Sequence, residues 1–251
     1  MAIGAHPDDI EFLMAGTMLL LARAGYQLHY MNVANGSCGS VQYDAATLVR
    51  MRRDEARAAA AYLGAAFYES VTNDLEVFYD RPTLARVSAA VREAAPQILL
   101  VHSPQDYMED HMNACRLAVT AAFCRGMPNF PVEPARPPVD TEVTVYHAQP
   151  HGNWDPLRQP ILPDLFVDIG SVIEQKMEML AEHRSQKGWL DESQGMDSYL
   201  KTMQDLSREV GRLSGRFQYA EGWRRHSHWG FCDLDANPLA DALAMFVLAR
   251  R

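Results

Sequence analysis

The chain has 251 residues, 48% hydrophobic and 22% charged, a composition typical of a globular protein. Its formal net charge of −9, without a basic stripe, argues against nucleic acid as a partner, because phosphate binding requires clustered Lys and Arg. No apolar run reaches the ~20 residues of a membrane-spanning helix. The longest run, 12–24, has no basic segment before it and is not interpreted as a signal peptide. We therefore expect a cytoplasmic protein whose four cysteines are reduced.

Strand-like and helix-like segments alternate along most of the chain. In chain order they are a strand at 2–5, a helix at 16–24, a strand at 28–33, helices at 47–63 and 83–94, a strand at 98–101, a helix at 112–124, a strand at 143–147, and helices at 172–182 and 196–211. Gly25 and Gly64 directly follow two of these helices and are typical stop signals. This alternation predicts a Rossmann-like α/β fold, with a mainly parallel sheet flanked by helices.

The pattern changes after residue 150, where a loop rich in Pro and Asp precedes the last two predicted helices. No internal repeat and no low-complexity segment divides the chain. We predict a single domain over 1–251, with a core of about 1–150 and a helical and loop elaboration of about 151–251.

The first predicted strand leads directly into the sequence AHPDDIE at 5–11. Ligands of open α/β sheets bind just beyond the carboxyl ends of the strands. His6 and Asp9 are three residues apart, so one turn of backbone can direct both at one ion, with Asp8 beside it. Imidazole nitrogen and carboxylate oxygen are good zinc ligands. The alternative is a helix N-terminus whose carboxylates interact only with the helix dipole.

The strand 98–101 leads into a second group of His and Asp residues, HSPQDYMEDHMNA at 102–114. Within it, His111 can complete a His-Asp-His zinc site with His6 and Asp9. A catalytic zinc keeps three protein ligands and an open position for water. A lone histidine here would more often start a helix, but two such clusters at two strand ends favour a metal site.

These motifs resemble those of the PIG-L/LmbE-like superfamily of zinc-dependent N-deacetylases. The matching segments are AHPDDIEF at 5–12, NGSCG at 35–39, DYMEDHMNA at 106–114, AEHRSQ at 181–186 and YAEGW at 219–223. The resemblance implies a Rossmann-like fold and removal of an acetyl group from an N-acetylglucosamine-containing molecule. It also implies that His6, Asp9 and His111 bind the zinc and that Asp8 is the general base.

One position departs from the family pattern. The second family motif usually reads HxDH, and its first histidine stabilises the oxyanion or protonates the amine. Here that position is Met108, whose thioether can neither donate nor carry a proton. Asp110, which ordinarily supports that histidine, is retained. Either Asp8 serves as both base and acid, or another residue donates the proton. The candidates, with the first two preferred in this order, are His151, Tyr107, His102 and His183.

Substrate contacts are predicted from two residues at the rim of the site. Arg53 and Asp74 could bind sugar hydroxyls, although surface ion pairing explains either equally well. Aromatic rings could stack on a sugar or pack in the core. These rings belong to Trp189, Trp223 and Trp229. We expect specificity to be set by the loops 152–165 and 188–195.

The sequence therefore predicts a zinc-dependent hydrolase that deacetylates a small N-acylated sugar. Fe²⁺ is an alternative metal, because His₂Asp sites accept several divalent ions. A zinc amidase that cleaves a bulkier N-acyl group and a non-catalytic metal- or carbohydrate-binding module are the alternative functions. Dinucleotide binding is disfavoured, because no GxGxxG follows a predicted strand. The sequence leaves open whether the chain forms a homo-oligomer.

Overall fold

One sheet organises the part of the chain that the computed structural model describes, residues 1–186 and 198–250. Its strands are β1 (Ala2–Gly4), β2 (His29–Asn32), β3 (Ala66–Tyr68), β4 (Ile98–Val101), β5 (Thr144–Ala148), β6 (Leu165–Asp168), β7 (Ala220–Arg225) and β8 (Val247–Ala249). They are hydrogen-bonded in the order β3-β2-β1-β4-β5-β7-β6-β8. The first five pair in parallel, whereas β7 is antiparallel to β5 and β6, and β8 is antiparallel to β6.

Helices cover both faces of this sheet. They are α1 (Asp9–Leu13), α2 (Ala15–Arg23), α3 (Ala45–Tyr62), α4 (Arg81–Ala94), α5 (Glu109–Phe123), α6 (Ile173–Ala181), α7 (Ser198–Ser214) and α8 (Pro238–Ala242). Successive strand residues point to opposite faces, so Leu99 and Val101 pack against α4 and α5, whereas Ile98 and Leu100 pack in the core that α2, α3, α6 and α7 cover. Burial on both faces explains why β4 is a continuous apolar run.

Local signals in the sequence define several helix ends. The Asp44 carboxylate accepts a hydrogen bond of 2.8 Å from the Thr47 backbone N–H and so caps the start of α3. Gly25 and Gly64 follow α2 and α3 with φ of 87° and 64°, a conformation that glycine adopts without steric cost. The predicted helix stops at these two glycines are confirmed. None of the helices in the described ranges combines the length and the apolar character that a bilayer span requires.

The predicted α/β fold with a mainly parallel sheet is confirmed, but the C-terminal part differs from the prediction. It contributes β6, β7 and β8, which extend the sheet beyond β5, in addition to helices. These strands have 3 to 6 residues, and β7 reads AEGWRR, so neither length nor alternation marked them. Helix α5 begins at Glu109 instead of 112, because Met108 is the last extended residue before it, and His111 therefore lies in its first turn.

Candidate metal and active site

Three neighbouring parallel strands bring the candidate residues to one edge of the sheet. His6, Asp8 and Asp9 follow β1, His111 lies in the first turn of α5 after β4, and His151 follows β5. The strands β1, β4 and β5 are adjacent in the sheet. Since parallel strands end at the same edge, these side chains meet there.

The three predicted metal ligands lie together around the carboxylate of Asp9. One ligand atom from each of His6, Asp9 and His111 lies within 4.8 Å of the other two. Asp9 Oδ1 is 3.4 Å from His111 Nε2, and Asp9 Oδ2 is 3.5 Å from His6 Nδ1. The His6 backbone N–H also donates a hydrogen bond of 2.6 Å to Asp9 Oδ2, which fixes the turn between β1 and α1. Two imidazoles and one carboxylate are a donor set that fits a divalent transition-metal ion.

A carboxylate orients each of the two imidazoles. Asp110 Oδ2 is 2.9 Å from His6 Nε2, and Asp106 Oδ1 is 3.0 Å from His111 Nδ1. His6 Nδ1 and His111 Nε2 are thereby left on the side of Asp9, where they could bind an ion, and such carboxylate support of a ligand histidine is common at zinc sites. Asp110 was expected to support a histidine at position 108, but it contacts His6 and accepts a hydrogen bond from the Leu75 backbone N–H. Sequence reasoning missed Asp106, although its position five residues before His111 in DYMEDH was visible.

The electrostatics of this cluster favour a cation. Burial lowers the pKa of His6, but the carboxylates of Asp110 and Asp9 outweigh burial and raise this pKa to about 10. Burial also lowers the pKa of His111, and the charges of Asp9 and Asp106 reverse that effect and raise it. The pKa of Asp9, which burial alone would raise, is held well below its usual value by the surrounding histidines. A cluster that draws protons onto its imidazoles in this way also attracts a divalent ion.

Asp8 occupies the N-cap position of α1 without capping it. Its backbone is left-handed, with φ 99° and ψ −24°, and its side chain makes no hydrogen bond to the helix. Asp8 Oδ2 instead accepts a hydrogen bond of 2.8 Å from the Tyr199 hydroxyl and lies 3.4 Å from Arg52 Nη2. Burial raises the pKa of Asp8, and the charge of Arg52 opposes the increase. The carboxylate is thus directed at the cavity, which disfavours the interpretation that it only decorates a helix N-terminus.

A cavity of about 430 Å³ lies over these groups. Besides the polar residues, its lining includes the side chains of Phe12, Leu13, Leu75, Tyr107, Met108 and His151. Met108 therefore lies in the site, at the position where the family pattern has histidine. The His151 ring is 6.0 Å from the Tyr107 ring, and the Tyr107 ring packs edge-on against His111 at 5.6 Å. Both preferred candidates for the proton donor consequently line the same cavity as Met108.

The two other candidate donors, His102 and His183, lie behind the cavity. His102 is fully buried, and its Nε2 accepts a hydrogen bond of 2.9 Å from the Ala5 backbone N–H and lies 3.2 Å from Asp9. His183 is also fully buried, 3.3 Å from Glu11. Neither lines the cavity formed by the described residues. Their burial outside this lining makes them less favoured candidates than His151 and Tyr107.

Arg52, and not Arg53, reaches the cavity. The side chain of Arg53 is 46% exposed and pairs with Glu69 at 2.5 Å. Arg52 is buried on the inner face of α3, in line with Leu48 and Ala56. Residues four positions apart lie on the same face of a helix, so this spacing from Leu48 and Ala56 could have indicated that Arg52 is on the buried face.

Asp74 lines the cavity, but its carboxylate already accepts two hydrogen bonds. Oδ1 accepts a hydrogen bond of 2.7 Å from the Gly36 backbone N–H, and Oδ2 accepts one of 2.9 Å from that of Cys38. Asp74 therefore fixes the NGSCG turn beside the cavity. A substrate hydroxyl would have to use the lone pairs that these two bonds leave.

The tryptophans that were considered for sugar stacking lie elsewhere. Trp223 is fully buried in the core, where its Nε1–H donates a hydrogen bond of 3.0 Å to the Thr17 hydroxyl. Trp229 is 76% exposed and stays outside the cavity lining of the described residues. Trp189 and the predicted rim loop 188–195 lie outside the described residues.

Known proteins resemble this chain in sequence and in fold. The sequence profile of PIG-L, described as GlcNAc-PI de-N-acetylase, matches residues 1–123. The diacetylchitobiose deacetylase of Thermococcus kodakarensis is 28% identical over 230 residues, which cover 89% of this chain and 81% of that protein. The 4-oxalmesaconate hydratase of Pseudomonas putida is 30% identical over 184 residues, or 70% and 69% of the two chains. The structure of N,N′-diacetylchitobiose deacetylase from Pyrococcus horikoshii matches with a TM-score of 0.76 and 22% identity, covering 91% of this chain and 83% of that one.

The profile match includes both motifs that carry the site, 5–12 and 106–114. The sequence identity to the curated relatives extends well beyond that match, over most of the chain. The fold match covers the C-terminal part as well. The chain is therefore a member of the PIG-L family.

Proposed function

We propose that this protein is a zinc-dependent N-deacetylase that removes the acetyl group from an N-acetylglucosamine-type amino sugar. The observation that carries the proposal is the position of Asp8 beside His6, Asp9 and His111 in one cavity. Hydrolysis of an amide by activated water needs these two parts together, ligands for an ion and a carboxylate that takes a proton.

The ion would be held by His6 Nδ1, a carboxylate oxygen of Asp9 and His111 Nε2. When bound, a divalent cation supplies Lewis-acid chemistry, which lowers the pKa of a water and polarises a carbonyl. Asp110 and Asp106 keep the two imidazoles in the orientation that leaves these nitrogens free. We propose zinc as the native metal and Fe²⁺ as the alternative that the same donors accept.

Asp8 takes a proton from the attacking water while the water oxygen adds to the acetyl carbonyl carbon. Its Oδ2 already faces the Tyr199 hydroxyl and Arg52, so among the described residues Oδ1 is the oxygen that stays free for this proton. Because burial raises the pKa of Asp8, its basicity lies closer to the working pH than that of an exposed carboxylate.

The amine must be protonated before it leaves, because an amide anion is too poor a leaving group. We propose His151 as the donor of this proton and Tyr107 as the second choice, since both line the cavity beside Met108. Burial lowers the pKa of His151, which makes its imidazolium form a stronger acid. If Asp8 returns the proton instead, Met108 only lines the space for the acyl group.

An uncharged, hydroxylated substrate is compatible with the polar lining of the cavity, where a bound divalent ion would balance the excess of carboxylates. Three carboxylates line it, those of Asp8, Asp9 and Asp74, whereas Arg52 is the one Lys or Arg among the described lining residues. We propose that Arg52 and the remaining lone pairs of Asp74 contact sugar hydroxyls. Arg53 was expected in this role, but its pairing with Glu69 outside the cavity makes Arg52 the better candidate. The names of the PIG-L profile and of the Thermococcus relative support an N-acetylated sugar.

Two other reactions compete with deacetylation. The apolar lining around Leu75 and Met108 is compatible with an amidase that cleaves a bulkier acyl group. A hydratase is the second candidate, because the relative that is 30% identical carries that name. Adding water across a double bond releases no amine, so Met108 would not hinder it. With a divalent ion bound, the three carboxylates and the one arginine of the described lining are balanced in charge, so the charge of the lining does not by itself distinguish an anionic substrate such as 4-oxalmesaconate from a neutral sugar.

We also propose a cytoplasmic location. Cys38, Cys115, Cys124 and Cys232 are all unpaired, as expected for a protein of a reducing compartment.

Acetate release from N-acetylglucosamine and N,N′-diacetylchitobiose by the zinc-reconstituted protein tests the proposal. Chelator-treated protein and the variant His111→Ala are the controls, and loss of 4-oxalmesaconate is followed in parallel. We expect acetate release that disappears in both controls, and no hydration. Hydration without acetate release would support the second candidate, and faster cleavage of longer N-acyl chains would support the bulkier amidase.

A further inference from the structure

The carboxylate that acts as the base is held by a residue far outside the region that the PIG-L profile matches, residues 1–123. We propose that Tyr199 is a positioning residue whose hydroxyl holds Asp8 Oδ2 and so directs Asp8 Oδ1 toward the attacking water. This inference rests on the proposed function, in which Asp8 is the general base.

The contact between Tyr199 and Asp8 is buried and directional. The Tyr199 side chain is 2% exposed, and its hydroxyl donates a hydrogen bond of 2.8 Å to Asp8 Oδ2 across 191 positions of sequence. A buried tyrosine hydroxyl requires a partner, and this carboxylate is the partner that it has. The Tyr199 ring also packs edge-on against Phe12, with the ring centroids 5.2 Å apart. Phe12 belongs to α1, which begins directly after Asp8, so ring and hydroxyl contact the same turn.

The local structure at Asp8 shows that its carboxylate serves the cavity. An aspartate at an N-cap position usually accepts a hydrogen bond from the helix that follows, and Asp8 makes none. Its φ of 99° lies in the left-handed region, which is unfavourable for a residue with a side chain. Such a conformation persists where surrounding contacts fix it, and Tyr199 is one of those contacts.

Arg52 alone would not select one oxygen of Asp8. Its Nη2 is 3.4 Å from Oδ2, a charge interaction without the geometry of a hydrogen bond, and a guanidinium can pair with either or both oxygens of a carboxylate. The single O–H of Tyr199 is directional, so it fixes Oδ2 and leaves Oδ1 available to the water. Without it, the carboxylate could turn both oxygens toward Arg52.

The variant Tyr199→Phe tests this role, because it removes the hydroxyl and keeps the ring. We expect kcat for acetate release to fall roughly 10-fold, since fewer molecules have a correctly oriented base. KM and bound zinc should not change, because the substrate contacts and the metal ligands remain. The matched control is Tyr146→Phe, which removes another buried hydroxyl, one that donates a bond of 2.8 Å to Asn237 outside the cavity. This control should keep the wild-type kcat.

A double-variant comparison separates positioning from a general structural effect. If Tyr199 acts through Asp8, adding Tyr199→Phe to Asp8→Asn should lower kcat no further than Asp8→Asn alone. An unchanged kcat in zinc-loaded Tyr199→Phe, or an equal further loss in the Asp8→Asn background, would overturn the proposal.

Urea unfolding of the same variants keeps this inference distinguishable from the proposed function. If the wild type releases acetate from no sugar, the proposed function fails, and the catalytic role of Tyr199 fails with it. The shifts in the unfolding midpoint would still report the contact. If the combined shift of Tyr199→Phe and Asp8→Asn is less than the sum of the single shifts, the result supports the contact. Additive shifts would show that the hydroxyl and the carboxylate do not interact.

Discussion

Replacing Asp106 with Ala should weaken zinc binding although Asp106 is not itself one of the three proposed ligands. Its Oδ1 lies 3.0 Å from His111 Nδ1, and the carboxylate is fully buried. It therefore fixes the imidazole orientation that presents His111 Nε2 to the ion, and its charge makes that nitrogen a better donor. The second oxygen of Asp106 is buried without a hydrogen-bond partner. Removing this carboxylate therefore removes its desolvation cost, but it also leaves the Met108 backbone N–H without the acceptor that it has at 3.2 Å. These effects oppose each other, and we expect the variant to remain folded.

The expected loss of zinc affinity follows from the number of carboxylate partners that the ligand histidines lose. Asp106→Ala removes the support of His111 and leaves that of His6 by Asp110 intact. Loss of one such partner lowers metal affinity by about 10- to 100-fold, which corresponds to about 1.4–2.7 kcal/mol. Asp106→Asn should have a smaller effect, because its amide oxygen can still accept the hydrogen bond from Nδ1.

Competition with a chromophoric chelator measures the zinc affinity of each variant directly. Asp241→Ala, an exposed aspartate on α8, is the control for loss of one negative charge. Zinc affinity of Asp106→Ala equal to that of the wild type, with His111→Ala impaired, would refute the role assigned to Asp106. Equal losses in Asp106→Ala and Asp241→Ala would show that only net charge matters.

Three further predictions concern the metal, the proton donor and acid stability. His111→Ala should lose bound zinc and activity together by elemental analysis and acetate release, and full zinc occupancy would show that another residue is the third ligand. If protonated His151 is the donor, the rate of acetate release should fall as the pH rises through the pKa of His151, which burial lowers. His151→Ala should lose this alkaline limb of the pH–rate profile, whereas Tyr107→Phe should keep it. In Met108→His, the rate should no longer depend on His151. If removal of the Tyr107 hydroxyl and of the His151 imidazole both leave the pH–rate profile intact, Asp8 alone transfers the proton. Burial lowers the pKa of His147 from 6.5 to about 4. Below pH 6.5, the unfolded chain therefore binds a proton at this histidine that the folded chain does not bind. The stability present at pH 7 consequently declines as the pH falls toward 4. Between pH 7 and pH 5, His147 should lower the free energy of unfolding by about 2 kcal/mol. Urea unfolding should show no such loss in His147→Gln, and an identical decline in that variant would mean that other groups cause it.

The meeting of His6, Asp9 and His111 at one edge of the sheet was predictable because its signals are local. His6 and Asp9 are neighbours in one motif, and His111 lies in a second motif after another apolar strand. Since parallel strands deliver their carboxyl ends to one edge, the pattern of strands was sufficient to bring the two motifs together. The partners of these ligands were not predictable in the same way. Whether Asp106 or Asp110 supports a given imidazole depends on where α5 begins, and the structure starts it three residues earlier than the pattern indicated.

The remaining differences concern a contact between distant residues, the buried face of one helix and three short strands. The bond between Tyr199 and Asp8 joins residues 191 positions apart, and no periodicity in either segment indicates it. Arg52 and Arg53 differ only in which face of α3 they occupy, and the buried face becomes clear when Leu48 and Ala56 are considered with them. The strands β6 to β8 are too short for alternation to distinguish them from loops, and the sheet edge at β5 determines where they pair.

The central claim, that Asp8 is the base and not a ligand, is tested most directly by Asp8→Asn. Zinc content and acetate release would be measured on the same preparation, with His111→Ala as the variant that should lose both. We predict that Asp8→Asn retains one zinc per chain while turnover falls by ~10²–10⁴-fold, the usual contribution of a general base. Loss of zinc in parallel with activity would make Asp8 a ligand, and wild-type turnover in the zinc-loaded variant would exclude it as the base.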